Sequence, residues 1–182
     1  MVDMSDRKRD ATRRPRSRSV RSFAVLARHP SSASRLAANV WTVSARPAVA
    51  GSASTSGSSA AKKAGANDAI FVDEVDTVNE ATAGNVFVVT DGRLRTPLKS
   101  TRILPGVTRD KLLVAARAAG IGTAEERITK SELLSAQEVF LSSTTAEVTP
   151  VATVDGKQIG GGKPGPVSRR VFEQFARMFI RK

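Results

Sequence analysis

The chain has 182 residues, 29 basic and 17 acidic side chains, a formal net charge of +12, no cysteine and a single histidine, His29. No disulfide framework, thiolate metal site or cysteine nucleophile can therefore be built, nor a multi-histidine metal centre. No apolar run reaches the roughly 18 residues of a spanning helix, so no membrane insertion is expected and the cytoplasm is the expected location.

The charge is unevenly placed. Residues 1–67 hold ten Arg and three Lys against Asp3, Asp6 and Asp10, a net of +10, whereas residues 68–182 carry a net of +2. Between positions 11 and 67 there is no acidic residue, and the stretch "GSASTSGSSA" has the composition of a flexible linker. A short helix around 20–28 is the one element expected there. Residues 1–60 thus read as a basic, Arg/Ser/Ala-rich segment, disordered or translated from a shifted frame of a GC-rich gene. Residues 61–182 read as the folded domain. An Arg/Ser-rich, acid-poor start also suits an organelle transit peptide over residues 1–45, with a mitochondrial or plastid destination. An arginine-rich arm can release counterions from nucleic acid. Phe23 and Trp41 stand alone, however, without the aromatic interleaving of a stacking platform, so nucleic-acid binding is the secondary reading and a solvated tail the preferred one.

From Asp68 onward the pattern is α+β. "AIFV" (69–72) is a short apolar strand. "NVFVVTDGRLRTP" (85–97) is strand, Asp91-Gly92 turn and strand, a hairpin signal. "TRDKLLVAARAAG" (108–120) predicts a helix with Thr108 as N-cap and Gly120 past its end. "TKSE" (129–132) is a capping box. "EVFLSS" (138–143) and "EVTPVATV" (147–154) are strands, followed by an Asp155-Gly156 turn. "PVSRRVFEQFARMFI" (166–180) predicts a closing helix with Pro166 in its first turn and Val171, Phe175, Met178 and Phe179 on one apolar face.

Three blocks could carry chemistry. "VNEATAGNVFVV" (78–89) places Glu80 shortly before a buried strand. "ILPGVTRD" (103–110) delivers Val107 and Thr108 through a Pro-Gly turn to a helix start, where free N–H groups and the helix dipole favour an anion. "FLSSTTAEVTPV" (140–151) runs a strand into four consecutive hydroxyls. Taken singly, each has a plain alternative: Glu80 a surface acid, Leu104 a core residue, Thr108 the cap of its own helix, and "SSTT" an ordinary turn. "GGGKPGPV" (160–167) departs from the phosphate-loop pattern, and Pro164 and Pro166 remove backbone donors, so Lys163 is expected in solvent.

Taken together and in this order, the blocks resemble the C-terminal half of the class IV, fold-type IV aminotransferases that use pyridoxal 5′-phosphate. "SSTTAE" and "GKPGPV" are most similar to the D-amino-acid aminotransferases of that family. The resemblance implies the C-terminal, large-domain fold of those enzymes over residues 61–179. It implies transamination between D-amino acids and 2-oxo acids, with branched-chain L-amino-acid transfer as the alternative, and the homodimer of the family. It also implies cofactor contacts. Glu80 would pair with the pyridine nitrogen, Leu104 would pack on the ring, and Val107, Thr108, Ser143 and Thr144 would hold the phosphate. Thr145 and Ala146 would face the substrate carboxylate.

The same resemblance exposes a gap. The family's Schiff-base lysine belongs upstream of Glu80, where this chain reads "PAVAG" (47–51). Lys62 and Lys63 come too late, "LAANV" (36–40) too early with Ser32 at the lysine position, and Lys8 is remote. No catalytic lysine is assigned. The family's N-terminal domain, which supplies arginines to the phosphate, is expected to have no counterpart here. The expectation is therefore a chain that retains the cofactor floor but does not turn over substrate.

Overall fold

The computed structural model describes residues 41–47 and 53–180. In chain order the elements are β1 (Trp41–Pro47), α1 (Ala53–Lys63), β2 (Asp68–Val72), β3 (Val78–Ala81), β4 (Gly84–Thr90), β5 (Arg93–Thr96), α2 (Val107–Ala118), β6 (Thr123–Glu125), α3 (Lys130–Ser135), β7 (Glu138–Ser143), β8 (Glu147–Val154), β9 (Lys157–Gln158) and α4 (Pro166–Phe179). The strands follow the order β3-β2-β1-β8-β7-β4-β5-β6, and β3 also pairs with β4. That last pairing closes β3, β2, β1, β8, β7 and β4 into a ring, with β5 and β6 extending from it. β1 runs parallel to both of its neighbours, β2 and β8, whereas β7 is antiparallel to β4 and β8.

Both faces of the central strands are buried, which is why "NVFVV" reads as a continuous apolar run. On β4, Val86 and Val88 join one cluster with Ile70, Val78, Val139 and Leu141. Phe87 and Val89 join the opposite cluster, with Phe140, Leu112 and Ala116, and Val171 and Phe175 from α4. Phe87 and Phe140 stack with centroids 4.9 Å apart. Each such side chain contributes about 1.5–3 kcal/mol on burial. α2 and α4 lie over this second face.

The local signals behave as their chemistry dictates. Asp91 and Gly92 both take positive φ, as a two-residue hairpin turn requires, and Asp155 and Gly156 repeat the arrangement. Thr129 accepts from the Glu132 N–H at 3.2 Å, and Glu132 accepts from the Thr129 N–H at 2.8 Å, the reciprocal capping box opening α3. α2 ends with Ile121 N–H donating to Ala116 and Gly120 N–H to Arg117, a Schellman closure.

Several expectations are corrected. Thr108 does not cap α2: the N-cap is Gly106, with no side-chain cap bond. "GSASTSGSSA" is not linker; nearly all of it lies in α1. Its small residues reflect close packing, since a Cβ on Gly57 would sit 2.7 Å from the Phe71 ring, and Ala61 is fully buried. β1 likewise falls inside the stretch read from composition as unstructured. On α4, Val171 and Phe175 are buried, but Met178 and Phe179 remain 40% and 37% exposed. Phe179 instead tilts against Phe175 and lies under the Lys111 ammonium. The helix expected at 20–28 lies outside the described residues.

Candidate functional site

One cleft, of about 430 Å³, is formed where β3, β4 and β7 end against the start of α2. Its walls include Glu80, Leu104, Val107, Thr108, Ser143 and Thr144. Every residue that the sequence assigns to the cofactor therefore meets at one hollow, although the residues come from three separated parts of the chain. Thr145 and Ala146 occupy the same β7–β8 turn but lie outside this wall; the Ala146 N–H donates to Ser143 Oγ at 3.0 Å. Ser143 is fixed by that bond while its own hydroxyl hydrogen stays available.

The loop before α2 is positioned by a clamp on both backbone polar groups of one residue, Leu104. Leu104 N–H donates to Glu80 Oε2 at 2.8 Å, and Asn85 Nδ2 donates to the Leu104 carbonyl at 2.9 Å. With both backbone groups tied, Leu104 presents a side chain that is 73% exposed. Glu80 has two tasks available at once, since one oxygen holds the loop and the other is left outside that bond. Gly106 lets the loop lie on Asn85: a Cβ there would come within 2.2 Å of Asn85 Oδ1. Arg109, in the first turn of α2, is fully buried. It donates to the Pro97 carbonyl at 2.9 Å and to Glu125 at 2.8 Å, pinning the helix start from behind.

Asn85, Gly106 and Arg109 are the positioning residues that sequence reasoning did not single out. A signal existed for Asn85, a lone amide opening an otherwise apolar buried strand, because a buried amide needs partners.

The wall carries Glu80 but no Lys or Arg. An anion there is met by the uncapped N–H groups of α2's first turn, by the helix dipole and by hydroxyls. α3 and α4 differ. α3 is closed by its own box, and α4 by Glu138, whose carboxylate accepts from the Val167 and Ser168 N–H groups at 2.9 and 2.8 Å. A second, larger cleft of about 580 Å³ lies beside that α4 start and the Gly-rich loop, with Lys163 and Arg169 on its rim. Lys163 is exposed, as expected. Because Glu138 already fills the helix start, this cleft has no free N-terminal dipole to offer. Among the described residues no group of His, Asp and Glu has metal-binding geometry, and no helix is long and apolar enough to cross a membrane.

Comparison with known proteins identifies the family. The family model for amino-transferase class IV matches residues 12–154, and the chain belongs to that family, whose cofactor is pyridoxal 5′-phosphate. The branched-chain-amino-acid aminotransferase of Salmonella typhimurium is 40% identical over 121 residues, covering 66% of this chain and 39% of the relative. The D-alanine aminotransferase of Bacillus licheniformis is 43% identical over 111 residues, covering 61% of this chain and 39% of the relative. Among solved structures, the Escherichia coli branched-chain amino acid aminotransferase superposes with a TM-score of 0.72 at 31% identity, over 81% of this chain and 53% of that one. The branched-chain enzyme of Thermobaculum terrenum in its PLP form gives 0.72 at 28% identity, over 80% and 53%. The chain thus spans about two fifths of the curated relatives it matches.

Proposed function

We propose that this chain forms the coenzyme-holding half of an aminotransferase site, with pyridoxal 5′-phosphate seated in the cleft between β3, β4, β7 and α2. The convergence of the three sequence blocks on a single wall carries this reading. The donor set fits the group: an uncapped helix start and several hydroxyls suit a phosphate ester, a carboxylate suits a protonated ring nitrogen, and an exposed leucine suits an aromatic face. When bound, the coenzyme supplies the electron sink for amino transfer.

The chain's own residues then have defined tasks. The Val107 and Thr108 N–H groups and the Thr108, Ser143 and Thr144 hydroxyls donate to the phosphate. Glu80 holds a proton on the pyridine nitrogen through the oxygen not engaged by Leu104, and each pKa unit of that bias is worth about 1.4 kcal/mol. Leu104 packs on the ring and keeps water from that face. The Thr145–Ala146 backbone turns toward the substrate carboxylate. In the homodimer read here for the whole enzyme, the remaining phosphate cations come from outside this half.

For the substrate we favour D-amino acids with 2-oxo acids. The "SSTTAE" turn and the 43% identity to a D-alanine aminotransferase support that choice. Branched-chain L-amino acids are the second reading, supported by the names of most of the relatives. With no lysine at the register upstream of Glu80, we expect the 182-residue chain to bind the coenzyme without reacting with it. Calorimetric titration should give saturable binding, the visible spectrum should remain that of the free aldehyde, and neither D-alanine nor L-leucine should be turned over. Absence of saturable binding overturns the site assignment. Turnover overturns the assignment of a non-reactive half.

A further inference from the structure

Ser142 has no part in the roles given so far, yet it lines the same cleft. It is 2% exposed, and its hydroxyl is buried without a hydrogen-bond partner. A buried hydroxyl without a partner is rare, because it has given up water for nothing.

The strand register explains where this hydroxyl sits. Side chains alternate along a strand, so Ser142 shares its face with Phe140, two residues earlier on β7. Phe140 belongs to the cluster under α2 and α4. Across the ladder Ser142 pairs with Asn85 on β4, which lies two residues before Phe87 of the same cluster. Ser142 and Asn85 therefore stand side by side on the helix-covered face, at the strand ends below the first turn of α2. The Asn85 amide nitrogen is engaged by the Leu104 carbonyl at 2.9 Å, and Asn85 Oδ1 lies against Gly106. Neither takes up the Ser142 hydroxyl.

Two independent features thus coincide: an α2 start with no side-chain cap and a buried hydroxyl with no partner on the same wall. We infer that Ser142 Oγ–H is a further donor to the anionic tail of the ligand held at the start of α2. The inference rests on the coenzyme reading above and deepens it. The wall has no Lys or Arg, so neutral donors carry the anion. Each one is then worth more than it would be beside a guanidinium, since hydrogen bonds to charged acceptors are stronger than those between neutral groups.

The test uses the whole 182-residue chain, wild type and Ser142→Ala. Each is titrated calorimetrically with pyridoxal 5′-phosphate, with inorganic phosphate and with unphosphorylated pyridoxal, and each is unfolded thermally without ligand. Expected is a loss of roughly tenfold in affinity for both phosphate-bearing ligands, no change for pyridoxal, and an unliganded midpoint equal to or above wild type, because the substitution removes an unpaired buried polar atom. A purely structural serine would do the reverse. A lowered unliganded midpoint, or loss of cooperative unfolding, overturns the inference. So does unchanged phosphate affinity in the variant while wild type binds, and in that case the coenzyme reading stands. If wild type binds neither phosphate-bearing ligand, both readings fall together.

Discussion

Two clefts among the described residues use the same building blocks for opposite ends. Each has a helix start, a glycine-bearing approach loop and the end of a buried strand. In the larger cleft the strand contributes Glu138, whose two oxygens take the first N–H groups of α4. In the smaller one the strand ends contribute hydroxyls and an amide, and α2 begins at Gly106 with no side-chain cap. A glycine-rich loop with basic neighbours is therefore a poor guide to an anion site. What decides is whether the protein has already spent its own carboxylate on the helix dipole.

Four perturbations break or sharpen this contrast. Glu138→Ala should have the largest effect on stability. It strips one buried and one half-buried N–H group of their acceptor and should lower the unfolding free energy by about 2–3 kcal/mol, read by urea denaturation, while coenzyme affinity is retained. Asn85→Ala releases the Leu104 carbonyl and should cost about 1–2 kcal/mol. Unlike the first variant it should also weaken coenzyme binding, which calorimetry would show. Thr108→Val keeps the backbone N–H and removes only a hydroxyl, so the phosphate-ligand affinity should fall by about 1 kcal/mol with an unchanged unliganded melting temperature. The smallest effect is that of acid on a site remote from both clefts. The Thr129 N–H and then Arg95 hold the Glu132 carboxyl down to about 2, below its ordinary 4.5. The folded-state value is depressed, so this contribution is complete above the unfolded pKa of 4.5 and fades as pH falls toward 2. Glu132→Gln should flatten that part of the stability profile and leave both clefts unaltered.

The sequence made some of this legible and hid the rest for definable reasons. The hairpin at Asp91-Gly92, the capping box at Thr129 and the span of α2 are local features, set by residues within a turn or two of one another. The wall of the smaller cleft was legible because its blocks are motif-like and sit on turns between recognisable strands. Two elements escaped. In β1 the alternation of Trp41, Val43 and Ala45 with Thr42, Ser44 and Arg46 was present, but it lay in a basic, acid-free stretch whose composition argued for disorder. Its pairings, Val43 with Asp68 and Trp41 with Val151, are long-range and leave no local trace. In α1, serine, glycine and alanine look like a tether. They are small because the helix lies close on β2, as the contact of Gly57 with Phe71 shows. Thr108 was misread as a cap because a threonine before an amphipathic run is a good cap in general. The Pro-Gly turn moves the N-cap back two residues, from Thr108 to Gly106, and leaves the threonine on the cleft wall instead.

The placement of β1 has a practical consequence. It is the keystone between β2 and β8, parallel to both, and it precedes residue 48. Trimming the arginine-rich N-terminal residues past that point to obtain a better-behaved protein would do the opposite. It would split the cylinder along its length and bare two adhesive strand borders, the kind of surface that recruits other chains into aggregates. Shortened versions meant to stay monodisperse should therefore keep Trp41–Pro47 intact.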